Sequence, residues 1–194
     1  MEEILERLNQ LSYQYPKDVI LYPHTKESYL KVMKGIGRIP DKFNLYLLEF
    51  LKFTNGASIL DYCFLGFKNR RLGIDFDTYM GEFWHEHNRY AFALPFMRNT
   101  QKEHFCLWME PGEAFHSVVY IDMNAEKNPL PIASNFFHFM DTFISDLANS
   151  LSKGETIYIA ENDWPLNQAH WIKNDPNLKK VKIEGTLPFK QYGK

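Results

Sequence analysis

Apolar residues recur at two spacings along this chain, and the change from one to the other divides it. Ile4, Leu5, Leu8 and Leu11 fall at helical intervals, which predicts an amphipathic helix over residues 2–13 that stops before Pro16. A turn region around Pro23 follows, then a helix over residues 28–34. Gly35-Ile36-Gly37 is expected to end it, because two glycines disfavour the helical backbone. Pro40 and Asp41 suit the first turn of a further helix, where proline loses no hydrogen bond and an acid complements the helix dipole. Its apolar face is Phe43, Leu47, Phe50 and Leu51, and Asn55-Gly56 ends it, since both residues tolerate left-handed backbone.

Beyond Gly56 the period falls from 3.6 to 2. Residues 59–67, 71–77, 91–97, 103–110 and 115–122 read as strands, rich in aromatic and β-branched residues and separated by turn residues. In 103–110, Phe105, Leu107 and Met109 share one face and His104, Cys106 and Trp108 the other. Both faces are apolar, which predicts a central strand. Glu110-Pro111-Gly112-Glu113 is a short turn, so the next strand should pair antiparallel.

Helical spacing then returns. Ser134 is expected to cap a helix to about Leu151, with Phe136, Met140, Phe143, Leu147 and Leu151 on one stripe and Gly154 as its stop. A tail follows, with a short strand expected at 156–160 and a short helix at Asp163-Trp164-Pro165; Trp164, Trp171 and Ile172 suggest that it docks. Helices, then an antiparallel meander of about five strands, then a covering helix, give an α+β fold rather than a doubly wound one. The expected organisation is one domain over residues 1–154 and a docked extension over 155–194.

Composition narrows the class. The 194 residues, 45% hydrophobic and unusually rich in Phe (16) and Tyr (11), exclude global disorder. A chain of this size buries about 70% of its unfolded surface, so no disulfide or metal staple is required. The net charge of −2 has no block of either sign, which argues against general nucleic-acid binding; Lys179, Lys180 and Lys182 read as a solvated tail. No apolar run reaches membrane-spanning length, and Met1-Glu2-Glu3-Ile4 lacks a signal-peptide pattern. Cys63 and Cys106 read as reduced core thiols. A cytoplasmic, membrane-free protein is expected.

Chemistry-bearing clusters are few. In Trp84-His85-Glu86-His87, a His-x-His pair on a strand would place both imidazoles on one face, and His104, His116 or Glu82 could complete a zinc set. The competing reading is a solvent-facing loop or edge strand. Asp75 and Asp77 would share one strand face, as polar faces of strands often do. Gly-x-Ser-x-Gly and phosphate-cradling glycine loops are absent from the sequence. No catalytic, metal or cofactor site is assigned. The candidate partner-binding residues are instead Tyr79, Trp84, His85, His87, Arg89 and Tyr90, an aromatic and basic group in a region of irregular periodicity.

Ile39-Pro40-Asp41-Lys42-Phe43, Leu47-Leu48-Glu49-Phe50-Leu51 and Asn55-Gly56, in that order, resemble the opening of the SUKH superfamily. This group includes a fungal cell-wall synthesis regulator and many bacterial immunity proteins. Val118-Val119-Tyr120-Ile121-Asp122, then Pro131-Ile132-Ala133-Ser134-Asn135-Phe136-Phe137-His138-Phe139-Met140, resemble its final strand and helix entry. The resemblance covers about residues 25–150. It departs at Arg98-Asn99-Thr100-Gln101-Lys102, where many members carry a Gly- and Asp-rich turn, and after Gly154.

The resemblance implies a cofactor-free binding module, not an enzyme, most often an immunity protein whose partner is a toxin, commonly of nuclease type. A regulatory or scaffolding role of cell-wall synthesis type is the first alternative. A metal-dependent hydrolase using His85 and His87 is the second.

Overall fold

The first apolar stripe folds as α1 (Glu2–Gln14), with Ile4, Leu8 and Leu11 buried. A computed structural model describes residues 1–38, 44–69, 75–87, 90–101, 103–123, 128–155 and 164–183. Next come β1 (Val19–Leu21) and α2 (Lys26–Arg38). Thr25 closes the start of α2: its hydroxyl accepts from the Ser28 N–H at 3.1 Å, and the Ser28 hydroxyl accepts from the Thr25 N–H at 2.9 Å. The helix runs through Gly35-Ile36-Gly37 to Arg38, so these glycines do not stop it as expected. Glycine weakens a helix interior by only about 1 kcal/mol, which neighbouring turns offset.

Pro40, Asp41 and Phe43 lie outside the described residues. α3 (Leu45–Phe53) is capped by Asn44, whose side chain accepts from the Tyr46 N–H, and it buries Leu47, Phe50 and Leu51 as its spacing predicts. Gly56 adopts a φ of 83° just beyond it.

Among the described residues the sheet has seven antiparallel strands in strictly sequential order, where about five were expected. Two short strands escaped the sequence reading: β1, and the later Leu130–Ala133. The expected strand 59–67 is a hairpin of β2 (Ala57–Ile59) and β3 (Tyr62–Phe64), turning at Leu60-Asp61. Leu60 takes the left-handed region, with φ 53°, without the glycine or asparagine that marks such turns. The expected strand 71–77 is also corrected. Residues 70–74 lie outside the described set, and Asp75 instead precedes α4 (Phe76–Glu86) as its N-cap.

β4 (Ala93–Asn99) forms later than the expected 91–97, and β5 (Glu103–Trp108) starts where expected and ends before residue 110. Pro95 sits inside β4, and the register slips between Pro95 and Met97 because proline cannot donate to the ladder. β6 (Val118–Asp122) and β7 (Leu130–Ala133) complete the sheet. α5 (Phe136–Lys153) is capped by Asn135, one residue later than the Ser134 expected; the Asn135 carboxamide oxygen accepts from the His138 N–H at 3.0 Å. Gly154 ends α5 at φ 69°. The expected strand at 156–160 and Asp163 fall outside the described residues. A 3₁₀ turn (Trp164–Leu166), α6 (Gln168–Asn174) and a second 3₁₀ turn (Pro176–Lys180) follow.

Two apolar clusters flank the sheet. On one face, α1, α3, α5 and α6 cover Phe64, Phe96 and Phe105, and Trp164 and Trp171 are buried among them. Rings meet throughout this layer: Phe139 stacks on Trp171 at 6.0 Å, and Tyr62 meets Phe143 edge-on at 5.8 Å. Arg7 ties α1 to α5 through Asp141 Oδ1 and Ser145 Oγ, both at 2.7 Å. On the other face, Phe83, Tyr90, Ala93, Cys106, Trp108, Val119 and Ile121 form a smaller cluster under α4. β5 is buried on both faces, as its two apolar faces predict. Among the described residues, no helix is long and apolar enough to cross a membrane.

Candidate functional site

Strand register builds a row of side chains across the second face. Cys63 on β3 lies opposite Arg98 on β4, Arg98 opposite His104 on β5, and His104 opposite Ile121 on β6. Direct cross-strand partners point to the same side, so thiol, guanidinium and imidazole stand in line. α4 crosses this row. Its Tyr79 and Phe83, four residues apart on one helix face, reach His104 from above.

Beside α4 this leaves a cleft of about 640 Å³ lined by Asp61, Cys63, Tyr79, Glu82, Arg98 and His104, among others. Its geometry is specific. The Tyr79 phenol and His104 Nε2 are 2.5 Å apart. The Arg98 guanidinium lies over the Tyr79 ring at 5.0 Å and stands beside Cys63, its direct cross-strand neighbour. Burial raises the phenol and the thiol above their ordinary pKa values against the opposing pull of Arg98, so both are neutral at pH 7. Burial likewise raises the Asp61 carboxyl. Asn99, at the same end of the sheet, donates to the Glu103 carboxylate at 2.5 Å, and the Tyr120 hydroxyl donates to its other oxygen at 2.6 Å.

The residues singled out from sequence separate here. Tyr79 and His87 line the cleft. Trp84 is 38% exposed, with its indole N–H donating to the Ala93 carbonyl at 2.7 Å. His85 is exposed on the last turn of α4, Tyr90 is fully buried against Phe83, and Arg89 lies outside the described residues.

The strand or loop reading of 82–88 is overturned at 82–86, which is helical. His85 lies on the last turn of α4 and His87 is its C-cap with non-helical backbone at the cleft, so the two do not share a strand face. Among the described residues, no group of three or more His, Cys, Asp or Glu side chains is arranged to hold a metal ion. Asp75 and Asp77 do not share a strand face either: Asp75 accepts from the Lys68 N–H and Thr78 hydroxyl, and Asp77 pairs with Lys31.

Arg98 was missed as a site residue. Its signal was a cation between Met97 and Asn99 in a segment otherwise apolar from Ala93, an unusual choice for an interior strand. Chemically, the cleft offers a fixed cation, an aromatic wall and neutral hydrogen-bonding groups. Compared with protein-family models and with curated proteins, the chain matches none.

Proposed function

We propose that this protein is a non-enzymatic protein-binding module, acting as an immunity protein that neutralises a toxin by direct contact. The observation that carries this reading is the apolar surface of α2 and α3, two helices packed on each other. Tyr29, Leu30 and Met33 on α2, and Leu45, Tyr46 and Phe53 on α3, are all exposed, with Leu45 at 72%. Large apolar side chains grouped on neighbouring elements fit a surface that a partner covers, and such anchors dominate binding energy. Half-exposed Trp84 on α4 is a further anchor candidate. The order of motifs resembling the SUKH superfamily points to the same class.

The test is affinity capture from the source cell's lysate, run in parallel with the wild type and with a Leu30→Glu, Met33→Glu double variant. Recovery of a toxin-like polypeptide at near-equal stoichiometry, lost with the double variant, is expected. Recovery of cell-wall synthesis enzymes would replace immunity with the regulatory reading. Capture unaffected by the double variant would move the contact surface elsewhere, and Trp84→Ala would then be the next variant, expected to weaken binding by more than about 1 kcal/mol.

A further inference from the structure

A guanidinium held in a partly desolvated place is ordinarily matched by a carboxylate. Arg98 is half-buried in the cleft, and its neighbours there are the Tyr79 phenol ring and the Cys63 thiol. Among the described residues it forms no ion pair with a carboxylate. Neither partner offsets its charge, because both acids are held in their neutral forms by burial. Arg7, by contrast, is paired with Asp141. The cleft floor therefore presents a fixed positive charge without a matching negative one, and it does so inside a cavity of ligand size.

The rim has the opposite character. Asp61, Glu82 and Glu86 line the same cleft, with Glu82 and Glu86 one helical turn apart on the exposed side of α4. A multiply charged anion such as phosphate would meet these three carboxylates on entry. A single carboxylate on a molecule that also carries a cation suits both ends, and Tyr79 and Phe83 supply an apolar wall for the chain between them.

We propose that this cleft binds a small amphoteric ligand, with a carboxylate on the Arg98 guanidinium and an ammonium or guanidinium group at the Asp61, Glu82 and Glu86 rim. A free basic amino acid and a basic C-terminal residue of a peptide share this chemistry. The inference does not depend on the immunity reading, because it concerns the isolated protein and a small molecule.

Calorimetric titration of the purified protein at low ionic strength tests it, using 6-aminohexanoate as the probe beside hexanoate and 6-aminohexanamide. Saturable binding of 6-aminohexanoate is expected, weakened about tenfold or more when either charged end is removed. Arg98→Gln should abolish binding. Arg98→Lys, which keeps the charge but loses the fork, should retain part of it. Glu82→Gln with Glu86→Gln should weaken 6-aminohexanoate several-fold and leave hexanoate unchanged or improved. Lysine and Gly-Gly-Lys, titrated side by side, then distinguish a free amino acid from a peptide terminus by whichever binds more tightly. No saturable binding of 6-aminohexanoate, or binding of 6-aminohexanamide with equal affinity, overturns the proposal without reliance on any variant. Unchanged affinity in a folded Arg98→Gln protein does so as well.

Discussion

One face of the sheet is closed over by α1, α3, α5 and α6, and rings from Phe64, Phe105, Phe139, Phe143 and Trp171 pack there into one buried layer. The other is crossed by α4, which leaves beside it a cleft where Cys63, Arg98 and His104 stand in register. The same strands serve both, since alternate residues of β3, β4 and β5 face opposite ways. The contrast separates two uses of sequence. The closed face is filled with rings whose burial supports the fold, and the cleft on the open face carries charged and hydrogen-bonding groups that are expected to contribute less to it.

The largest expected effect sharpens this contrast from the closed side. Phe143→Ala removes a fully buried ring that meets Tyr62, Phe64 and Trp164, and should cost about 3–5 kcal/mol of unfolding free energy in urea. A cost below that of any cleft substitution would break the comparison.

Gly66→Ala acts where the two faces are joined. A methyl there would lie 2.2 Å from the Asn55 carbonyl oxygen, which is backbone and cannot swing away. The Gly66 carbonyl also accepts from the Phe76 N–H at 3.0 Å, holding the start of α4. A loss of about 1–3 kcal/mol is expected, together with shifted amide resonances along α4. Unshifted α4 resonances would show that α4 is placed over the cleft by other contacts.

Within the cleft, Tyr79→Phe deletes the hydrogen bond to His104 while keeping the ring under Arg98. About 1 kcal/mol is expected, measured by the same urea titration. A loss as large as that of Phe143→Ala would make the cleft part of the structural core.

The smallest effect is a pH dependence outside both regions. Burial lowers the pKa of His24 and of His116 from 6.5, so the unfolded chain takes up protons first as pH falls. Stability from these two groups is fully present above 6.5 and declines as pH drops from there toward their folded pKa values. The fall in Tm between pH 7.5 and 5.5 should shrink in a His24→Gln, His116→Gln protein. An unchanged fall would assign the acid sensitivity to other groups.

Much of the closed face was legible because helical and strand periods both point inward there: Ile4, Leu8 and Leu11, Leu47, Phe50 and Leu51, and Phe136, Met140, Phe143, Leu147 and Leu151 are buried as their spacing predicts. β1 and β7 were missed because strands as short as three or four residues hold too few alternations to register a period. α4 was misread because Phe76, Met80 and Phe83 fit a helix, while Asp75 and Asp77 around Phe76 imitate strand alternation.

The cleft was less legible for a geometric reason. Cys63 is far from Arg98 and His104 in sequence, and the three line up only through the register of three strands. A one-residue slip of β4 would turn Arg98 to the opposite face. Tyr79 was found because aromatic residues cluster near it in the chain, yet its companions Trp84 and Tyr90 go elsewhere, one half-exposed and one buried.

Strict nearest-neighbour order in the sheet bears on how the chain is made. Each strand pairs with the one synthesised just before it, so the sheet can assemble during translation without waiting for distant segments. Its cover is completed only later, because α5 and Trp171 follow the last strand and Arg7 of α1 waits for Asp141. A nascent chain halted after β7 would carry Phe96 and Phe105 toward water, the kind of surface that holdase chaperones capture, although Phe50 of α3 can already meet Phe64. Emergence of Trp171 from the ribosome thus sets the end of the interval in which this protein is most prone to aggregate.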